Sequence, residues 1–140
     1  MKTLISVLLL LLLPCCASAQ TWHTTNQVTL AWDAVTLLDN GQPVPATDTV
    51  KYQTYVKFQN ADAAPVAIGS ETALTQQAIA FSSEGRYYLC VDAVRYIPNE
   101  PEGQRSGLSC SHDGAVTATG TPFGVKYFNK PGGPNRLRIQ

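Results

Sequence analysis

Catalytic chemistry has little to work with in this chain. The only histidines are His23 and His112, and neither has a carboxylate or nucleophile at a recognisable spacing; His112 and Asp113 read as a polar turn before Gly114. Serines are plentiful, but a triad needs serine, histidine and acid brought together in space, and no pattern in the chain signals that. The nearest approach to a carboxylate pair for glycoside work is Glu100 with Glu102. Both lie in a proline-rich loop without rigid support and read as solvated loop charge. There is no glycine loop to cradle phosphate, no metal-ligand spacing and no reactive cysteine context. The expectation is a protein that is not an enzyme and uses neither cofactor nor metal.

Net charge is missing too. Ten basic residues balance ten acidic ones, so no field draws the chain to nucleic acid or to an anionic membrane. Arg136 and Arg138, the one local bias, are too few for a polyanion site. Internal repeats and low-complexity tracts are absent. Long apolar runs are absent except at the start, where Met1, Lys2 and Thr3 precede residues 4–13, apolar but for Ser6, and then Pro14, Ala17, Ser18 and Ala19. A run of this length falls short of the ~20 residues of a membrane-spanning helix. With its basic start and small-residue end it reads as a signal peptide, residues 1–19, cleaved before Gln20. The expected location is outside the cytoplasm, secreted or periplasmic. The competing expectation is a lipid-anchored protein modified at Cys15 or Cys16, although Pro14 and Cys15 fit poorly before such a site.

Cleavage at Gln20 leaves Cys90 and Cys110 as the remaining cysteines. Two cysteines in an oxidising compartment favour a single disulfide over a metal site, which needs three or four ligands, and over two free thiols. About 120 residues then remain, enough for one domain with one core.

Alternation dominates that remainder, and Thr, Val and Tyr are frequent, which is strand composition. Val28, Leu30 and Trp32 share one face. In residues 50–58, Tyr52, Thr54, Val56 and Phe58 oppose Lys51, Gln53, Tyr55 and Lys57. A short edge segment at residues 66–68 is closed by Gly69, residues 73–81 give a less clean strand, and residues 87–94 give the strongest one, with Tyr87, Leu89, Val91 and Ala93 inward. Residues 108–111 form a short strand after a loop rich in proline. No amphipathic helix follows the signal. Short strands punctuated by turns imply an all-β sandwich.

The runs Val28-Thr29-Leu30-Ala31-Trp32-Asp33 and Gly85-Arg86-Tyr87-Tyr88-Leu89-Cys90-Val91-Asp92-Ala93-Val94 resemble the second and sixth strands of a fibronectin type III domain, as small exported bacterial or phage-like proteins carry it. The resemblance covers roughly residues 28–111. It implies a seven-stranded antiparallel immunoglobulin-like β-sandwich at residues 20–114, with Trp32 and Tyr52 in the core and Tyr87 closing the corner at the start of its strand. It also makes the strands of Cys90 and Cys110 hairpin neighbours, so that a cross-strand bridge fits. Two departures stand out. The family usually lacks disulfides, and the first strand is short or missing here. Residues 115–140 form an extended tail in which residues 121–128 alternate like a strand and residues 131–139 look like the opening of a further domain.

Function is less determined. Strand parity and loop position expose Trp22, Tyr55, Tyr88 and Tyr96 as candidate ligand contacts, with Tyr55 and Tyr88 on outward faces of neighbouring strands. A cross-strand pair that merely stabilises the sheet is the plainer account. The expectation is a non-catalytic binding or adhesion module with a protein or glycan ligand. The alternatives are a structural surface or particle subunit that self-associates through its tail, and a carbohydrate-binding accessory module.

Overall fold

A computed structural model describes residues 19–60 and 62–131. The expected signal peptide, Cys15 and Cys16 included, and residues 132–140 of the tail lie outside the described residues, except for Ala19 at the signal's end. The described chain is all-β, with nine strands and one 3-10 turn: β1 (Thr21–Thr24), β2 (Gln27–Ala31), β3 (Thr49–Phe58), β4 (Val66–Thr72), β5 (Gln76–Ala80), β6 (Gly85–Tyr96), β7 (Gln104–Arg105), β8 (Ser109–Cys110), the turn Gly114–Val116, and β9 (Phe123–Tyr127). Among the described residues no helix is long and apolar enough to cross a membrane.

The larger sheet runs β1-β9-β6-β3-β4, with β7 and β8 also on β6, and the smaller sheet is the pair β2-β5. The long alternating runs become β3 and β6, paired antiparallel over ten residues from Thr49 opposite Tyr96 to Phe58 opposite Tyr87. The other flank of β6 is occupied in succession by β7 at Val94 and Arg95, β8 at Cys90 and Val91, and β9 at residues 85–87. The chain is therefore divided more finely than the seven strands expected. The tail segment β9 lies inside the sheet, antiparallel to β6 and parallel to β1, with Trp22 opposite Gly124.

Apolar side chains from both sheets meet between them, an arrangement consistent with a β-sandwich. Ile79 of β5, Phe81, Tyr87 and Leu89 of β6 and Val125 of β9 form the buried cluster, with Val28, Leu30 and Val56 packed on it. The ring of Tyr87 lies 4.7 Å from that of Phe81, and its hydroxyl donates to the Ser83 carbonyl at 2.6 Å, tying the start of β6 to the turn before it.

Two expectations about burial need correction. Trp32 lies just beyond β2, half-buried and outside that cluster, with its ring 5.5 Å from the buried Tyr52. Val91 and Ala93 of β6 face inward as expected, but burial in the upper half of the strand is heavier on the other face: Cys90, Asp92 and Val94 are buried, while Val91 and Ala93 are only half-buried. Cys90 and Cys110 form a disulfide between directly opposed residues, which covers the outward face at that level. Gly103 packs on the same face, so closely that a Cβ there would stand 2.5 Å from Val94 Cγ1. Val91 and Ala93 instead line an open groove between the sheets.

Candidate functional site

The outward face of the larger sheet gathers the three tyrosines expected to contact a ligand. In the β3/β6 register Tyr55 stands opposite Cys90, Lys57 opposite Tyr88 and Gln53 opposite Asp92, and Thr49 opposite Tyr96 closes the ladder. Alternation therefore places Lys51, Gln53, Tyr55, Tyr88, Asp92 and Tyr96 on one face. Tyr55 and Tyr88 are diagonal neighbours, and each is engaged elsewhere.

Tyr55 belongs to a charged cluster that runs across the sheet from β4 through β3 and β6 to β7. The Arg105 guanidinium donates through Nη1 to Tyr55 Oη at 3.1 Å and to Asp92 Oδ1 and Oδ2 at 3.2 and 3.0 Å, and through Nη2 to Glu71. Tyr55 itself donates to Asp92 Oδ2 at 3.2 Å, and Tyr96 donates to Glu71 Oε2 at 2.5 Å. Lys51 Nζ lies 5.2 Å from the Tyr96 ring centroid, a cation over an aromatic face. Gln53 ties β3 to β4, its buried amide donating to the Thr54, Ile68 and Gly69 carbonyls.

Arginine suits this position because its planar fork serves two carboxylates at once. Asp92 is buried and held by two partners, whereas the Arg105 side chain stays 46% exposed. The cluster is thus anchored from below and open above. Burial and the Asp92 charge raise the Tyr55 pKa, with Arg105 pulling the other way. The hydrogen bond to Glu71 does the same for Tyr96, and the bonds to Asp92 raise that of Arg105. Both phenols therefore stay neutral donors throughout the physiological range.

Tyr88 belongs to an aromatic group at the β1 side. Its ring lies 5.6 Å from Trp22 and 5.0 Å from His112, and its hydroxyl donates to Gln20 Oε1 at 3.3 Å. The Arg86 guanidinium stands 5.4 Å from the Trp22 ring centroid. Trp22 lies flat on Gly124, where a Cβ would come within 2.5 Å of its ring.

Sequence reasoning picked out Tyr55, Tyr88, Tyr96 and Trp22 but missed Glu71, Asp92 and Arg105. Asp92 in an otherwise apolar and aromatic strand was the available signal. Arg105 and Glu71 had none, because they are 34 residues apart and meet only across the folded sheet. The carboxylates Glu100 and Glu102 are exposed and belong to none of these contacts. Among the described residues no group of three or more His, Cys, Asp or Glu side chains is arranged to hold a metal. The chain matches no protein-family model, no curated protein and no solved structure.

Proposed function

We propose that this chain is an exported, non-catalytic binding or adhesion module of fibronectin type III-like architecture, acting through the outward face of its larger sheet. The observation that carries the reading is the Arg105 cluster: a half-exposed guanidinium with two carboxylates and two phenols, positioned by four strands and set beside the Trp22–Tyr88–His112 aromatic group. Strands place such groups more rigidly than loops do. Alternating donors and acceptors beside aromatic rings suit a polyhydroxylated ligand, whose vicinal hydroxyls both give and take hydrogen bonds and whose ring faces stack. A glycan is therefore the ligand class we assign first, and a protein surface the second. The seven-stranded immunoglobulin-like reading is supported by the way β7, β8 and β9 follow one another along a single flank of β6, as one interrupted strand would. Export is supported by the disulfide and by the signal-like residues 1–19.

The test is binding of the mature protein to a panel of neutral and acidic glycans, repeated with Arg105→Met and Tyr88→Ala. Saturable binding weakened about tenfold or more by either substitution is the expected result. A panel with no binder would remove the glycan assignment, and a binder indifferent to both substitutions would remove the face.

A further inference from the structure

Among the described residues the smaller sheet has an unpaired edge, and it lies beside a groove. Trp32 N donates to the Thr75 carbonyl and Phe81 N to the Asn26 carbonyl. In the β2/β5 register these are hydrogen-bonded pairs, so Asn26, Val28, Leu30 and Trp32 turn their backbone groups toward β5, while Gln27, Thr29 and Ala31 turn theirs away. Gln27 is satisfied locally: its N–H donates to Thr25 Oγ1 at 3.2 Å and its carbonyl accepts from the same hydroxyl at 2.7 Å. Thr29 and Ala31 have no strand beside them among the described residues. At that level a groove of about 580 Å³ opens between the sheets, lined on one side by Leu30 and Trp32 and on the other by Leu89, Val91 and Ala93. The Trp32 indole N–H is buried there with no hydrogen-bond partner among the described residues.

An open edge above a trough that is apolar along Leu30, Trp32, Leu89 and Val91 and polar at Ser109, Ser111 and Thr117 has the shape of a strand acceptor: backbone groups pair along Thr29 and Ala31, and alternate side chains drop between the sheets. The chain holds a segment with the matching pattern. In residues 135–140, Leu137 and Ile139 alternate with Arg136 and Arg138, after a spacer of Pro131, Gly132, Gly133 and Pro134. With Leu137 and Ile139 facing the groove, the two arginines would face outward near Asp33, an exposed carboxylate at its rim.

We infer that the groove accepts residues 135–140 of a second copy of this chain. Direction favours the second copy. Tyr127 pairs with Gly85, and Asn129 N donates to Glu84, so the tail leaves at the end of the molecule where β2 begins. A chain's own tail would have to pass β1 and then run parallel to β2, whereas a neighbour's tail can enter antiparallel, the better-paired direction. The inference is independent of the outward face of the larger sheet, and its failure would leave that face untouched.

The experiment is light scattering on the full mature chain across a concentration series, compared with a chain lacking residues 132–140, with Leu137→Asp/Ile139→Asp, and with Ala31→Pro. Proline removes the outward N–H at Ala31, a loss that an edge strand tolerates. The expected result is a concentration-dependent oligomer that all three changes weaken about tenfold or more. The tail-deleted chain mixed with the Ala31→Pro chain should give a one-to-one heterodimer, since one supplies the acceptor and the other the strand. A synthetic peptide of residues 131–140 should bind the tail-deleted chain and raise its melting temperature, which keeps the test decisive if Ala31→Pro fails to fold. A monomer at every concentration would overturn the inference, including one that the tail stabilises within its own chain. Oligomers that persist in a folded Ala31→Pro protein would overturn it as well.

Discussion

Replacing Cys90 and Cys110 together by alanine should cost the protein about 3–4 kcal/mol. The bridge joins residues 20 apart in sequence, and closing a loop of that size removes about 3 kcal/mol of unfolded-state entropy in the chain-entropy model. Cys90 is fully buried, so truncating it leaves a small void that adds about 1 kcal/mol. On the returning side of the bridged segment the backbone pairing is short: β7 and β8 are two residues each, and between them Ser106 N donates to the Ala93 carbonyl at 2.8 Å while Ala93 N donates to Ser106 Oγ at 2.9 Å, the Arg105 side-chain contacts adding to these. With a urea m-value of about 1–2 kcal/mol/M, the midpoint should fall by about 1.5–4 M. Amide exchange should accelerate first at Arg105 and Ser106, because the bridge fixes the flank that carries them. A loss below about 1 kcal/mol, with unchanged exchange at those amides, would refute the reasoning by showing that strand pairing and the residue 97–103 loop hold this flank without the bridge.

Three further outcomes follow from local contacts. Tyr87→Phe keeps the core ring but deletes the hydroxyl bond to the Ser83 carbonyl, and should lower unfolding free energy by about 1 kcal/mol in urea titration. Gly103→Ala forces a methyl against Val94 and Tyr96; it should cost about 1–3 kcal/mol and shift the amide resonances of Tyr96 and Arg105. Tyr55, Tyr87 and Tyr96 all have raised pKa values, so above the unfolded value of about 10 the unfolded chain loses protons that the folded one keeps. Stability from these groups is therefore intact below about pH 10 and falls as pH rises through their folded values, which tyrosinate absorbance measured alongside circular dichroism will follow. Tyr96→Phe should reduce that alkaline loss.

The strands were legible where they are long and half-buried. The alternation of Tyr52, Thr54 and Val56 and of Tyr87, Leu89 and Val91 found β3 and β6, because one face of each meets the core. Gly69 read as a terminator, yet β4 continues through it to Thr72, with the irregularity taken up in the pairing between Tyr52 and Thr54. Parallel pairing of β1 with β9 joins residues about 100 positions apart, and no local signal encodes that. The candidate site was half legible for the same reason. Strand parity found the tyrosines, which depend on one strand each, whereas the Arg105 cluster depends on four strands brought into register. Parity gave the outward face of Cys90 and Val94 but not their burial, because the covering group comes from a loop and a disulfide rather than from the opposite sheet.

The most direct test of the sheet face as a binding surface is amide-shift mapping of the mature protein with the tightest glycan from the panel. Shifts concentrated at Tyr55, Tyr88, Asp92, Tyr96 and Arg105 are the predicted result. Shifts confined to β2 and the groove beside it, with the Arg105 cluster unmoved, would contradict the account.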